Sequence, residues 1–459
     1  MTIAFHSHTR WANRSIPSSA LFSSNFLIAF PNVFCYNLHR LLCLLVVIMK
    51  LIFLMLLLFF ILPIPALAEE VKIAVLTDPH YIAPELTDHG PYFSALIASG
   101  DGKIVGYCDE ILDAFIAEML ASPVDCLILS GDLTFNGALQ SHIALRDKLQ
   151  VLRDAGIPVY VIPGNHDVYN LNAAHFEGAG FARVSSATSA DFADIWQDFG
   201  LSDAVARDSA SLSYTVDCKD LRFLMLDVNT EGNIGVLTDA TLAWAREQLI
   251  EAKKDNKRVI GISHQNLLVH NPLFISGFRI ENAGKLLPLY EEYGVLFNVS
   301  GHMHTAHIAG TEGTCPEIVV SSAVVSPCQY GLFTIGESGL DYETKIIDVS
   351  GYAASIGSEN ADLLSFRQYA AAFFVLCSLS KSSRTFENAD PETRDAVITY
   401  MANLNAAYFS GNLTKFSPQD EYYKMLLTPD FQSVYMKSIE SDLGKDYTHL
   451  HYDFGGNQR

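Results

Sequence analysis

Five short runs along the chain are each rich in side chains that bind metal ions. They are Asp78-Pro79-His80, Gly131-Asp132, Gly164-Asn165-His166-Asp167, Ser263-His264 and Gly301-His302-Met303-His304. Oxygen and imidazole ligands of this kind favour Mn²⁺, Fe or Zn²⁺ over soft metals, without selecting among the three. Two such ions held roughly 3.5 to 4 Å apart lower the pKa of a bound water and clamp a phosphoryl group. The pattern therefore indicates a two-metal hydrolytic site.

Each run follows an apolar segment that predicts a β-strand. The segments are Ile73–Thr77, Cys126–Ser130, Val159–Pro163, Val259–Ser263 and Val295–Ser300. Ligands that follow strands collect at the carboxyl edge of a sheet, where open α/β folds build their sites. Helical patterns at Glu110–Leu120, Ser141–Ala155 and Thr241–Lys254 alternate with the strands. The alternation predicts an α/β fold with helices flanking the sheets.

The order D-x-H, G-D, G-N-H-D, H and G-H-x-H resembles the calcineurin-like metallophosphoesterase superfamily. The resemblance extends over about Val71 to Val349 and is greatest to the class III cyclic-nucleotide phosphodiesterase branch, which includes secreted forms. It implies a two-sheet sandwich whose second sheet is closed by the runs Ile318–Val320, Gly331–Ile335 and Tyr342–Val349. Purple acid phosphatases, a sister family, place a metal-binding tyrosine three residues after the G-D aspartate. This chain has Phe135 there, so an iron-phenolate site is not expected.

The resemblance also implies a role for each ligand residue. The first metal would be bound by Asp78, His80, Asp132 and His304, and the second by Asp132, Asn165, His264 and His302. Asp132 would bridge the two metals, because one carboxylate can bind both cations. A histidine taken alone is more often a hydrogen-bonded structural residue, so these roles depend on the five ordered blocks together.

The run that contains His302 and His304 is predicted to be a loop. Residues two apart share one face of a strand, yet these two histidines are assigned to different metals. Gly301 would permit the bend that such a loop needs.

His166 and Asp167 are the residues predicted to serve catalysis without binding metal. His166 follows Asn165 and would lie at the rim, where it could stabilise the phosphoryl group and protonate the leaving oxygen. Asp167 could orient His166 or cap the next helix, and the sequence favours neither role. His270 is predicted to contact substrate, because the segment Gln265–Asn282 has the character of a lid.

A small phosphodiester is the predicted substrate, with a cyclic nucleotide as the leading candidate and a phosphomonoester second. The loop Tyr81–Cys108 is long, which usually signals function or mobility, and its residues Tyr81, Tyr92 and Phe93 could stack on a base or pack within the loop. The competing class is a secreted binding protein that lost the chemistry. Its expected mark is a broken ligand block, and all five blocks are intact.

The charge distribution argues against nucleic-acid polymers as partners. The chain has 459 residues with 30 basic and 51 acidic side chains, and its first 68 residues contain four of the basic and none of the acidic ones. The remainder therefore carries 26 basic against 51 acidic side chains, a net charge of −25. A body this acidic repels nucleic-acid backbones and anionic membrane.

The N-terminal region resembles an export signal. Met49-Lys50 precedes an apolar run, Leu51–Leu62, which is followed by Pro63, Pro65 and Ala66-Leu67-Ala68. This order is typical of a cleaved secretory signal at residues 49–68, with residues 1–48 as a misannotated upstream segment and a secreted body. Alternatively, Leu41–Leu62 is long enough to span a bilayer as an uncleaved anchor, which would leave the body outside the cytoplasm and attached to the membrane.

The body is predicted to contain two domains, the metallophosphoesterase domain at residues 69–350 and a small helical domain at 351–459. In the latter, Asp390-Pro391 begins a helix, and apolar residues recur at helical spacing at Val397, Tyr400, Met401, Leu404 and Tyr408. Cys315 and Cys328 flank a predicted strand and could pair in an oxidising compartment.

Overall fold

The structure is a computed structural model that describes residues 30–61, 70–229, 234–310, 313–382, 386 and 390–455. It divides into two units, Met1–Leu67 and Ala68–Arg459. In the first unit, helix α1 (Phe30–Ile61) contains Tyr36–Met55, which is long and apolar enough to cross a membrane, a property that signal sequences share. The predicted cleavage site lies within residues 62–69, outside the described residues, so the cleaved signal and the anchor both stay predictions.

The second unit alternates strands and helices up to about residue 350. Its strands are β1 (Val71–Leu76), β2 (Cys126–Leu129), β3 (Val159–Val161), β4 (Ala174–Glu177), β5 (Gly180–Arg183), β6 (Ala206–Arg207), β7 (Tyr214–Cys218), β8 (Leu221–Leu226), β9 (Arg258–Ser263), β10 (Asn298–Ser300), β11 (His307–Ala309), β12 (Glu317–Val319), β13 (Gln329–Ile335), β14 (Gly339–Ile346) and β15 (His449–Asp453). Its helices are α2 (Pro91–Ala98), α3 (Cys108–Ala121), α4 (Leu139–Asp154), α5 (Ser189–Ile195), α6 (Asp239–Lys254), α7 (Ala283–Tyr293), α8 (Val349–Ser355), α9 (Ala361–Leu364), α10 (Phe366–Ser382), α11 (Pro391–Ser410), α12 (Glu421–Leu426) and α13 (Val434–Ser438).

Two sheets organise this unit. A six-stranded sheet has the order β15-β14-β13-β1-β2-β3, and a seven-stranded sheet has the order β11-β12-β10-β9-β8-β7-β6. Strands β1, β2 and β3 are parallel, as are β8, β9 and β10, and β4 and β5 form a separate hairpin. The five segments predicted from the ligand pattern overlap β1, β2, β3, β9 and β10, so the α/β sandwich is confirmed.

The strands after the last ligand block differ from the prediction. All three runs were expected to close the second sheet, but only β12 joins the sheet of β9 and β10. Strand β13 instead pairs antiparallel with β1, and β14 with β13. The alternating buried side chains of β13, which include Phe333 and Ile335, fill the space between the sheets beside β1, and the sequence pattern does not specify which sheet they complete.

The two sheets pack face to face around a shared apolar core. Ile73 and Val75 of β1 enter this core, whereas Ala74 and Leu76 point to the outer face, where α3 and α4 cover the sheet. Helices α6 and α7 cover the outer face of the seven-stranded sheet in the same way. Because both faces are buried, the central strands are apolar throughout rather than alternating. This packing fixes the strand ends that carry the predicted ligands.

The region after residue 350 is mostly helical, as predicted, and α11 with α12 and α13 forms its own apolar cluster. The last strand, β15, was not predicted: it returns to pair antiparallel with β14 at the edge of the six-stranded sheet. The domain boundary at residue 350 stays a prediction. Cys315 and Cys328 are both buried and free, so the structure does not contain the predicted disulfide.

Glu317 on β12 is a buried carboxylate that fastens the start of the segment Gln265–Asn282. It accepts hydrogen bonds from the backbone of Leu267 and Leu268, at 2.8 and 2.5 Å, and from Ser300 Oγ at 2.7 Å. Asn298 Nδ2 donates to it at 3.0 Å. The Glu317 side chain thus joins β10, the strand that precedes the His302 loop, to the predicted lid.

His270 belongs to the same buried network and not to a substrate surface. Its Nε2 lies 3.0 Å from Glu317 Oε2, and its Nδ1 lies 2.9 Å from Nδ1 of His307. The side chain is fully buried. Because both ring nitrogens are already bonded within the protein, the structure does not support the predicted contact between His270 and substrate.

Replacing Glu317 with Gln should destabilise the fold. The change removes a charged acceptor and points an amide NH₂ at groups that themselves donate, so we expect a loss of about 3 kcal/mol in the free energy of unfolding. Denaturant unfolding measures the loss. Glu292→Gln, which breaks a half-exposed pair with Arg246, should change the unfolding free energy by less than about 0.5 kcal/mol. Equal effects of the two changes would contradict the role given to Glu317.

The effect of Glu317→Gln should also depend on pH. Burial alone would raise the pKa of Glu317, but the hydrogen bonds from His270 and from the backbone of Leu267 and Leu268 hold it below its ordinary value of 4.5. A lowered carboxyl pKa stabilises the fold above that ordinary value, and the contribution is lost as the pH falls below it. The difference in stability between wild type and Glu317→Gln should therefore shrink below about pH 4.5.

Candidate metal centre

The predicted ligands meet where the carboxyl ends of β1, β2 and β3 face those of β9 and β10. Backbone hydrogen bonds join the loops that carry them. Asp78 N donates to Gly131 O and His80 N to Asp132 O, both at 3.1 Å, and Gly301 N donates to His264 O at 3.1 Å. The position of the site therefore follows from the strand order of the two sheets.

The side chains form two groups that share Asp132. One group is Asp78, His80, Asp132 and His304, and the other is Asp132, His264 and His302; within each group the candidate ligand atoms lie within 4.8 Å of one another. These are the two predicted ligand sets apart from Asn165. Its Oδ1 is buried and has no hydrogen-bond partner among the described residues, as expected of an oxygen that faces a cation.

In this site, ring nitrogens of different histidines face each other. If both carried a hydrogen, they would repel one another. His80 Nε2 lies 3.1 Å from His304 Nε2, and His264 Nε2 lies 3.2 Å from His302 Nδ1. His304 Nε2 and His264 Nε2 also lie 3.2 and 3.3 Å from carboxylate oxygens of Asp78 and Asp132, respectively. Converging lone pairs around buried carboxylates suit divalent cations, so the residues fit the metals that the sequence predicts.

The ligand residues adopt strained backbone conformations. Asp78, His80, Asp132, His302 and His304 have φ values of 49°, 41°, 48°, 67° and 59°, in the left-handed region that non-glycine residues seldom occupy. Each such residue costs on the order of 1 to 3 kcal/mol, and such residues cluster at functional sites. The left-handed backbone lets side chains two residues apart, such as those of His302 and His304, point to different ligand groups.

Gly301 serves this loop differently from the prediction. His302 and His304 lie in a loop after β10, as expected, but they make the turns themselves. A Cβ at Gly301 would overlap the side chains of Thr77 and Asp78. The glycine is therefore required for close approach of two loops and not for the bend.

The charges in the site stabilise one another. Burial alone would raise the pKa of Asp132, but His264 and His166 hold it well below its usual range. Burial acts to lower the pKa of His264, whereas Asp132 and Asp78 raise it to about 9. Burial, and then His264, lowers the pKa of His302 to about 3. Asp132 is thus ionised and His302 neutral, which are their metal-binding forms, and a cation would compete with the proton on His264.

His166 lies at the rim of the site. Its Nδ1 is 2.8 Å from the carbonyl oxygen of Phe135, which can only accept, so Nδ1 carries a hydrogen. Its Nε2 is 3.8 Å from Asp132 Oδ2, and about a third of the side chain is exposed. The ring is therefore anchored on one side and presents Nε2 to the site on the other.

Asp167 has neither of the two roles that the sequence suggested. Its carboxylate accepts hydrogen bonds from the backbone of Gly164, Leu133 and Thr134, at 2.7, 3.0 and 2.8 Å, and from Thr134 Oγ1 at 2.9 Å. The bond from Gly164 lies within the loop after β3, and the other three join that loop to the loop after β2. Burial raises the pKa of Asp167. Asp167 holds the backbone that follows Asp132, so its predicted catalytic role is replaced by a positioning one.

The metal-side cavity, about 270 Å³ in volume, contains residues that the motifs did not reveal. Asp132, His166, His302 and His304 line it, together with Asp101 and Lys103, Phe274 and Phe278, and Tyr408 and Phe409. His302 Nε2 lies 3.0 Å from Gly277 O, and the Phe278 ring is 5.1 Å from the His302 ring. The segment Gln265–Asn282 therefore does cover the site. In the sequence, Asp101 and Lys103 stand out only as two charged residues close together in the long loop Tyr81–Cys108.

Sequence profiles of two families match this chain. The family described as Calcineurin-like phosphoesterase matches residues 71–306, just over half of the chain. The family described as C-terminal domain of cyclic nucleotide phosphodiesterase matches residues 348–446.

Curated relatives carry phosphodiesterase names. A probable cyclic nucleotide phosphodiesterase from Psychrobacter arcticus is 28% identical over 266 residues, which cover 54% of this chain and 81% of the relative. A probable glycerophosphodiester phosphodiesterase GpdQ from Arcobacter nitrofigilis is 26% identical over 191 residues, covering 39% and 56% of the two chains. Among solved structures, a dimetal phosphatase from Danio rerio aligns with a TM-score of 0.44 and 14% identity, covering 60% of this chain and 95% of that chain. This chain belongs to the calcineurin-like phosphoesterase family and is a metal-dependent phosphoric ester hydrolase.

Proposed function

We propose that this protein hydrolyses a small phosphodiester, with a cyclic nucleotide as the leading candidate, at a centre of two divalent metal ions. The observation that carries the proposal is the pair of Asp/His groups that share the buried carboxylate of Asp132, with His166 at their rim. The phosphodiesterase names of the relatives and of the C-terminal profile support a diester.

The chain's own residues prepare the site for reaction. Divalent cations, when bound, supply an activated water and neutralise charge on the phosphoryl oxygens. Asp78, His80, Asp132 and His304 would hold one cation, and Asp132, Asn165, His264 and His302 the other. Asp167 holds the loops after β2 and β3 together through three hydrogen bonds from Leu133 and Thr134. Phe278 and the rest of the lid segment limit access of bulk water.

His166 would transfer the proton. With Nδ1 bonded to Phe135 O, a second proton on the ring lies on Nε2, the nitrogen that faces the site. That proton can be donated to the leaving oxygen of the ester, and before transfer the same N–H can bond a phosphoryl oxygen. The fixed ring orientation lowers the entropic cost of reaching this geometry.

A phosphomonoesterase remains the second candidate function. The same centre would hydrolyse a monoester. A diester is favoured because His166 lines two cavities, which leaves space for a second organic group. A binding protein without activity is disfavoured, because the side chains of all five blocks converge instead of being dispersed or replaced.

We also propose that the body acts outside the cytoplasm after cleavage of residues 49–68. The support is the sequence order of Lys50, the apolar run and Ala66-Leu67-Ala68. Mass spectrometry of the protein exported by a bacterial host should find an N-terminus at Glu69. A membrane-retained product that still contains Leu51–Leu62 would favour the anchor.

Asp132→Ala and His166→Ala should fail in different ways. Asp132→Ala removes the shared carboxylate, so metal content should fall from near two ions per chain towards zero, and hydrolysis should vanish. His166→Ala removes no ligand, so metal content should persist while kcat falls about 10² to 10⁴-fold, the usual contribution of a positioned proton donor. Elemental analysis and steady-state kinetics of the Mn²⁺-loaded proteins measure both effects.

Thermal unfolding separates these roles from misfolding. Bound metals stabilise the folded state by mass action, so added Mn²⁺ should raise the Tm of wild type and His166→Ala but not of Asp132→Ala. If His166→Ala loses its metals or keeps full activity, the role given to His166 is wrong. A wild-type protein that binds no metal and ignores chelators would exclude the hydrolase mechanism.

Wild type loaded with Mn²⁺ should prefer diesters. We expect a higher kcat/KM for bis-p-nitrophenyl phosphate than for p-nitrophenyl phosphate, because the site offers space on both sides of the reacting phosphorus. The two substrates release the same phenol, so the comparison isolates the second substituent. A preference for the monoester would favour the phosphomonoesterase.

A further inference from the structure

A second cavity shares His166 with the metal-side cavity. This aromatic cavity, of about 290 Å³, is lined by Tyr92, Phe135, His166, Phe176, Phe181 and Arg183, with amides of neighbouring asparagines. Its volume is near the lower limit of sites for small organic ligands, about 300 Å³. It therefore suits one ring system and not a polymer.

The cavity is preformed by a hairpin that is tied to the loop after β1. Gly178, in the turn of the β4–β5 hairpin, donates its N–H to Asp88 Oδ2 at 2.7 Å and accepts a hydrogen bond from Tyr92 N at 3.1 Å. Asp88 N donates to Phe176 O at 3.2 Å. Beneath the cavity, the rings of Phe93 and Phe176 pack at 5.3 Å. The walls are held by both backbone and core contacts.

Part of Phe181 in the lining of this cavity remains exposed to solvent. Phe181 is 46% exposed, its ring lies 5.3 Å from that of Tyr92, and the Arg183 guanidinium lies 5.0 Å from its centroid. Of the three aromatics that the sequence offered for stacking, Tyr81 and Phe93 are buried in the core and only Tyr92 reaches the cavity. Aromatic platforms beside a guanidinium and amides bind the faces and edges of planar heterocycles.

Phe135 connects the cavity to the chemistry. Its carbonyl oxygen anchors His166 Nδ1 at 2.8 Å, and its ring forms part of the aromatic cavity. In an in-line displacement the leaving oxygen lies opposite the attacking water. A leaving oxygen that receives its proton from His166 would therefore direct its organic group away from the attacking water, and the aromatic cavity is the one that both His166 and Phe135 line.

We propose that the aromatic cavity is the subsite for the leaving group, and that it binds the nucleobase of a nucleotide diester. The base would lie against Phe181 and Tyr92, with Arg183 and the asparagine amides at its edge. This proposal rests on the diester function proposed above and adds to it the place where the base would bind and the residues that would bind it.

The test uses the Mn²⁺-loaded protein and two diesters, adenosine 3′,5′-cyclic monophosphate and glycerophosphocholine, which has no ring. Phe181→Ala removes one stacking face, so the ratio of kcat/KM for the nucleotide to that for glycerophosphocholine should fall about 10-fold, within the range for loss of one base–aromatic stack. Phe181→Trp keeps a face and should retain the wild-type ratio. Tyr422→Ala, at a partly exposed aromatic outside this cavity, should also retain it.

Equilibrium binding of adenosine 5′-monophosphate, measured by calorimetry, separates the subsite from the reaction. Wild type and Phe181→Trp should bind it about 10-fold more tightly than Phe181→Ala. If Phe181→Ala binds as wild type does, or wild type shows no binding, the subsite proposal is overturned even when diesters are hydrolysed. If binding depends on Phe181 but no diester is hydrolysed, the subsite stands and the proposed function fails.

Discussion

The carboxylate of Asp132 is the constraint on which the rest of this structure depends. It is almost fully buried, and an ionised carboxylate without compensation is very costly in a protein interior. The chain compensates with His264, His166 and His80, which all act to lower its pKa, and with the N–H of His166 at 2.8 Å. Because these partners come from three different strand ends, those of β1, β3 and β9, Asp132 is satisfied only when both sheets are assembled.

The geometry around Asp132 requires support from residues that bind nothing. Left-handed backbone at Asp78, Asp132 and His302 stores strain that an isolated loop would release. Asp167 opposes this by holding the loops after β2 and β3 together. Glycine at position 164 permits the same contact, since a Cβ there would overlap Asp132. Part of the G-N-H-D block is therefore structural, although its composition suggests chemistry throughout.

The strands, and the ligand residue at the end of each, were predictable from the sequence because they are encoded locally, whereas the division of the ligands into two groups was implied by the family resemblance. An apolar run followed by a hard ligand specifies both an element and its functional end, as in β1 with Asp78. Partners that meet across the sequence were not predictable. Nothing near His270 indicates that Glu317 and His307 occupy both of its ring nitrogens, and nothing in the run Gly331–Ile335 indicates pairing with β1. The same limit applies to Tyr408, which the helical spacing of the C-terminal region places on an apolar helix face and which also lines the metal-side cavity.

The metal groups and the proposed nucleobase subsite lie on different parts of this fold. The metal groups lie on strand ends within the packed sandwich, where a change in one residue disturbs several partners at once. The β4–β5 hairpin, the lid segment and α11, which lie outside the two sheets, contribute walls to the two cavities. Among the described residues, His166 borders both cavities and faces the metal groups. On the subsite proposed above, substitutions in the hairpin would alter the organic group that is accepted while Asp132 and its histidines are retained.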